Sequence, residues 1–260
     1  MSVCKCLVPY LNKLACNDDK THILVIKHGK GEEEEMSFQI GDCLIKESTS
    51  EKLLGAWINN DLSWSTHIKK LEDELNYRMY KLRRIEQSLP KSLLIKVADA
   101  IFCSILRYEL AIFCPIRLHT NDPNPTSIEG IKVRYHDLLR FLCNTRRSKH
   151  TSIESMLEKL GWLSINQLSC EIRLIEVWKA LNQENNCLSH FFEKATTNQG
   201  ITRSAGLNKL KPYFKSKIRE HSFAYPSIQV WNSAPPDVTT AETESKAKAA
   251  IKRYVKTLPI

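Results

Sequence analysis

Between residues 62 and 88 the apolar side chains Trp64, Ile68, Leu71, Leu75, Met79, Leu82 and Ile85 recur every three or four positions. That period matches the α-helical turn and sets all seven on one stripe. A stripe of this length needs an apolar surface to cover it, so the chain must be built around packed helices. Ser63 or Ser65 supplies an N-cap, and Pro90 ends the run. With only 8 Gly and 10 Pro in 260 residues, forced turns are few, which favours long helices over many short strands.

The segments on either side follow the same logic. Residues 91–113 predict a second, more buried helix, closed by Pro115. Further helices are expected at 128–143, 152–159 and 165–182, with Gly161 as a C-cap turn between the last two. Residues 118–126 are a loop, 196–206 a linker, and 243–256 an Ala/Lys-rich terminal helix. Before residue 62 the pattern differs. Residues 22–27, 36–40, 42–45 and 51–58 are short, apolar and partly β-branched, and Asn59-Asn60-Asp61 is a turn signal. The fold class expected is mainly α with a small N-terminal antiparallel sheet (α+β). The run 101–118 is apolar but carries Arg107, Glu109 and Pro115, so it reads as a core helix and not a membrane span.

Charge is uneven. The net charge is +9, and residues 200–260 hold eleven Lys and Arg against four Asp and Glu. A polyanion suits such an end, and so does a plain solvated surface. The nine cysteines are scattered and lack C-x2-C spacing. Residues 1–14 show no clean apolar core with a cleavage site. The cysteines therefore read as buried thiols of a reducing compartment, nucleus or cytoplasm, with no metal.

Several stretches taken in order carry a resemblance. They are Asn17-Asp18-Asp19-Lys20-Thr21 before an apolar strand, and Leu53-Leu54-Gly55-Ala56-Trp57-Ile58-Asn59 running into Leu62-Ser63-Trp64 and His67-Ile68. Leu82-Arg83-Arg84-Ile85 and residues 104–108 come next. Leu157, Leu160-Gly161-Trp162-Leu163, Ile165 and Trp231-Asn232 with Pro235 follow. This order resembles the segment after the active site in non-LTR (LINE-type) retrotransposon reverse transcriptases, across about the whole chain. The resemblance implies a palm edge over residues 1–61, a helical thumb over 62–117, a helical connector over 118–199 and a basic C-terminal segment over 200–260. Lys20 would be a palm-edge lysine, and Leu54 and Gly55 part of a primer-grip-like strand. Two departures stand out. Position 53 is Leu where the family has an aromatic residue, and position 56 is Ala for Val.

Nucleotidyl transfer needs clustered carboxylates holding two divalent ions. The family carries them in an aromatic-Ala-Asp-Asp turn that is absent here, and Asp18-Asp19 lies in a different context. The resemblance thus implies a fragment of an RNA-directed DNA polymerase, inactive alone, with Mg expected only in a complete polymerase. Its partners would be RNA or an RNA–DNA hybrid and an upstream polymerase region, with no membrane. A mimic of a nuclease site, Pro236-Asp237 with Glu244-Ser245-Lys246, is short in spacing and its second group opens a helix instead of lying on a paired strand, so it reads as coincidence.

The binding candidates are cations interleaved with aromatics. Lys70, Tyr77, Lys81 and Arg84 fall opposite the apolar stripe of the first long helix, with Asp73 among them. Arg146, Arg147, Lys149 and His150 form a second cluster. In the tail, Lys209, Lys211, Lys215, Lys217 and Arg219 alternate around Tyr213 and Phe214. An extended segment would put those cations on one side, whereas a helix would fan them apart. The alternative reading is a non-catalytic helical protein-interaction module from a domesticated or decayed retroelement.

Overall fold

The computed structural model describes residues 21–26, 37–40, 43–119, 128–145, 152–194, 209–211 and 223–260. The chain divides into two compact units, Met1–Leu71 and Glu72–Ile260.

Among its described residues the first unit holds five strands. They are β1 (Ile23–Leu24), β2 (Ser37–Ile40), β3 (Cys43–Ser48), β4 (Ser50–Leu53) and β5 (Ala56–Asn59). β3 is central in a three-stranded sheet of order β1-β3-β2. β2 pairs with it antiparallel, Phe38 opposite Ile45, but β1 pairs parallel, Ile23 opposite Glu47. The expected all-antiparallel sheet is therefore corrected to a mixed one beside a separate β4–β5 hairpin. Residues 51–58, read as one strand, fold back on themselves. Leu54 and Gly55 form a two-residue turn with φ of 50° and 107°, and Leu53 faces Ala56. Two positive φ values are the geometry of a type I′ hairpin turn, which favours Asn-Gly. Leu54 is not in a strand but at the hairpin tip, 85% exposed. Leu54→Asn is accordingly expected to stabilise the protein by about 0.5–1 kcal/mol by relieving a left-handed leucine. A urea midpoint that falls instead would show that the leucine side chain matters more than its backbone.

The long helix α1 spans Ser65–Ile85, followed by a 3-10 turn Glu86–Ser88. Ile68, Leu71, Leu75, Met79 and Leu82 of its stripe are buried as expected. Trp64 is not. It precedes the helix with φ 59° and is only half-buried, with its ring edge-on to His67 at 6.3 Å. The Trp64 carbonyl accepts from the Ile68 amide, while Asn59 Oδ1 accepts from the Thr66 amide at 3.2 Å. Ser63, one of the two expected capping serines, accepts from the Ser65 amide at 3.4 Å, and Asn59 satisfies the next amide of the helix start. Within this unit His67 is buried, which lowers its imidazole pKa, and the Trp57 amide donates to its Nδ1 at 3.4 Å.

In the second unit the expected helix 91–113 is broken. α2 (Lys91–Ala98) passes into a π-helical stretch Asp99–Cys103, then α3 (Ser104–Arg107), then α4 (Leu110–Phe113). Glu109, in a left-handed conformation with φ 61°, makes the break. After them come α5 (Glu129–Cys143), α6 (Ile153–Leu160), α7 (Ile165–Asn182), α8 (Ala224–Ser233), α9 (Pro236–Thr239) and α10 (Glu244–Val255). Helix α7 is the hub, with α4, α8 and α10 packed against it, while α5 packs on α6.

Local chemistry explains these boundaries. Gly161, at φ 69°, closes α6 in a Schellman turn: the Trp162 amide donates to Leu157 O at 2.9 Å and the Gly161 amide to Glu158 O at 3.0 Å. Ser164 and Gln167 then form a reciprocal capping box at the start of α7. Two polar side chains of that first turn also tie distant segments. Asn166 bonds both backbone groups of Arg117 and the carbonyl of Pro259, and Gln167 donates to Leu258 O. Thr243 accepts from the Lys246 amide and caps α10.

Candidate nucleic-acid interface

Tyr77, Tyr80, Lys81 and Arg84 are exposed on α1, at 52% and 56% for the two tyrosines. At 100° per residue, these four side chains fall within an arc of about 100°, opposite buried Leu75 and Leu82. The arc has an internal repeat. Lys81 Nζ lies 4.1 Å from the Tyr77 ring centroid, and the Arg84 guanidinium lies 5.8 Å from that of Tyr80. Each pair is spaced i, i+4, so each tyrosine has a cation over its ring one turn later. Asp73 is exposed on the same side of the helix, a charge of opposite sign to Lys81 and Arg84. Tyr80 was missing from the sequence candidates. Its signal was its place on the helix, 60° from Tyr77, which the stripe of apolar residues already fixed.

Lys70 belongs to the first unit. There its Nζ sits 5.8 Å from the centroid of the Trp57 ring, so that strand β5 and the start of α1 share a cation–π contact. The stem of a lysine covering an indole is ordinary packing as well as a cation site. Leu54 and Gly55, expected in a primer-grip-like strand, form the hairpin tip described above.

Of the basic tail, residues 209–211 are described. Lys209 is exposed, and Leu210 is buried at 1% exposure. Leu210 makes an isolated antiparallel bridge to Lys194, and the Lys211 amide donates to Glu193 O at 2.9 Å. Asn232 locks this extended piece by accepting from the Leu210 amide and donating to its carbonyl, both at 2.9 Å. The Asn of the Trp-Asn-x-x-Pro stretch is therefore a backbone clamp. Within this extended piece Lys211 is paired to Glu193 at 3.2 Å. A lysine held in that way meets a phosphate only by giving up its carboxylate. Arg146, Arg147, Lys149, His150, Tyr213, Phe214, Lys215, Lys217, Arg219 and Lys20 lie outside the described residues.

The nuclease-like residues do not converge. Asp237 sits in α9 and pairs with Arg253 at 3.1 Å, whereas Glu244 opens α10 and pairs with Lys248 at 2.6 Å. Both elements are helices, not the paired strands that such a metal site requires. Among the described residues no group of three His, Cys, Asp or Glu could hold a metal ion. No helix among them is long and apolar enough to cross a membrane.

The buried polar centre of the second unit was also missed. Arg173 of α7 is 1% exposed. It donates to Cys114 O at 2.9 Å and Phe223 O at 3.0 Å, and lies 5.5 Å from the Phe223 ring centroid. Burial pushes its guanidinium down to about 10, opposed by the neighbouring Cys114 and Cys170. Those thiols are themselves pushed up, to about 11 and about 12, by burial. Neutral thiols in such a place are inert as nucleophiles. Cys103, Cys114, Cys143 and Cys170 are buried and Cys187 is exposed.

No protein-family model, no curated protein and no solved structure matches this chain.

Proposed function

We propose that this chain binds RNA or an RNA–DNA hybrid without base specificity, as the post-catalytic part of a non-LTR reverse transcriptase that takes no direct part in nucleotidyl transfer. The observation that carries the reading is the paired arrangement on α1, two exposed tyrosines each with a cation over its ring. Cations track phosphates, and a tyrosine face stacks on any base, so the combination is tolerant of sequence. The order of family-like stretches along the chain supports the choice of RNA or hybrid over other polyanions. Palm, thumb, connector and basic tail are the regions this reading assigns to residues 1–61, 62–117, 118–199 and 200–260.

The test is fluorescence anisotropy with a single-stranded RNA across a salt series. Replacing Tyr77 and Tyr80 by Ala is expected to weaken binding by about 1–3 kcal/mol per stacked base while leaving the salt slope almost unchanged. Lys81→Gln and Arg84→Gln are expected to lower the log–log slope by about 0.7 each. If neither change alters binding, the exposed face of α1 is only solvated, and the protein-interaction reading becomes the better one.

A further inference from the structure

The terminal helix α10 carries a second charged face that the binding candidates above leave out. Its buried side is Ala247, Ala250, Ile251 and Val255, packed on α7. The Trp178 indole of α7 donates to Ala241 O at 3.0 Å, just before the helix starts. The helix is therefore firmly mounted, and its other side is fixed in direction. On that side Lys246, Lys248, Lys252, Arg253 and Lys256 are exposed.

Their arrangement is not uniform. At 100° per residue, Lys248, Lys252 and Lys256 form one row, spaced about 6 Å apart along the axis. Lys246 and Arg253 form a second row, about 10 Å apart. The exposed Ser245 and Ala249 lie between the rows, so the strip between the cations is floored by small side chains. Three of the five cations are already matched: Lys246 to Glu242 at 3.1 Å, Lys248 to Glu244 and Arg253 to Asp237. Lys252 and Lys256 form no ion pair among the described residues, although Lys252 lies near enough to Glu171 to oppose the upward push of burial on that carboxyl.

We infer that the outward face of α10 is a track for the phosphodiester backbone of a nucleic-acid strand, led by Lys252 and Lys256. A membrane surface is the weaker fit, because no large apolar side chain stands between the cations to enter a bilayer. A strand of phosphates is the better one, because the cations follow one another along a narrow strip with room for a backbone between them. Arg253 and Lys246 are held in reserve by Asp237 and Glu242, so the face has two cations ready and more available on exchange. This inference rests on the reading that the chain binds nucleic acid, and adds a surface distinct from α1.

The experiment uses the full chain, a uridine 20-mer as probe and a salt titration of binding. Lys252→Gln with Lys256→Gln is expected to lower the log–log slope by about 1.4, at about 0.7 per phosphate contact. Asp237→Asn, which releases Arg253, is expected to raise it by about 0.7. All three positions are exposed, so thermal melts of the variants should match the parent. An unchanged slope in the double variant, with RNA still bound, overturns the track alone and leaves the α1 reading standing. No RNA binding by the parent protein overturns both. Equal or tighter binding of phosphatidylserine vesicles, lost in the same double variant, assigns the face to a membrane and also overturns the track.

Discussion

Arg173→Ala is expected to cost about 3–5 kcal/mol of unfolding free energy, a large part of the total for a protein of this size. Two effects act together. The first is the loss of a long buried side chain from the centre of α7, which leaves a cavity among α4, α7 and α8. The second is the loss of donors. The guanidinium serves the carbonyls of Cys114 and Phe223, and reaches Ser169 Oγ at 3.4 Å and Ser227 Oγ at 3.5 Å. A buried acceptor stripped of its donor costs about 1–3 kcal/mol. One effect opposes these, since alanine removes the penalty of holding a charge out of water, and among the described residues no carboxylate pairs with it. The bonds at 2.9 and 3.0 Å, the stacking on Phe223 and the side-chain volume together outweigh it. Arg173→Met separates the contributions by keeping most of the volume and none of the donors, so its cost should be smaller than that of alanine. Urea unfolding at neutral pH measures both. A cost under about 1 kcal/mol for alanine would mean that relief of desolvation cancels the lost bonds, and that the guanidinium does not hold the three segments together.

Arg173 also shows what the sequence made legible and what it did not. The helix over 165–182 was expected, and it forms over those residues. Its role as the hub was hidden because it is buried on almost every side, including Asn166, Gln167 and Ser169, and so displays no one-sided stripe. A buried cation looks like any surface arginine until the elements around it are known. By contrast, α1 was legible because a single stripe fixes which residues go in and which stay out. The same logic failed at Trp64, where the left-handed residue ahead of Ser65 and the amide contact of Asn59 start the helix one position later. The break at Glu109 carries neither Gly nor Pro, so no local rule announces it. The parallel pairing of β1 with β3 depends on which strands meet in space, a tertiary matter that hydrophobic patterns leave open. The basic tail was legible as charge, but the clamp by Asn232 and the pairing of Lys211 with Glu193 emerge only from the fold.

Alkaline titration should destabilise the protein steeply from about pH 9, through its buried thiols. Burial raises Cys103 and Cys170 to about 12 and Cys114 to about 11, from an ordinary thiol value of 9.0. A raised acid keeps its proton in the folded state after the unfolded chain has released it. Between pH 9 and pH 11 the unfolded state therefore binds fewer protons, and stability falls as pH rises. The contribution of these groups is fully present below pH 9. At pH 10 each thiol accounts for a loss on the order of 1 kcal/mol, and together they cost a few kcal/mol. Tyr135, raised well above its usual value by burial, adds to the loss at higher pH. Arg173, whose value burial lowers, keeps its proton through the range in which the thiols titrate and does not mask them. The window from pH 8 to pH 10 thus reports on the thiols. Urea midpoints under reducing conditions across that window measure the slope. Cys103→Ala should flatten it, whatever its own cost at neutral pH, since one of the four buried thiols with a raised value, Cys103, Cys114, Cys143 and Cys170, is gone. A parent protein whose stability stays level from pH 8 to pH 10 would mean that water reaches these thiols, and that the helices around α7 pack less tightly than the burial of Leu106, Leu174 and Val177 implies.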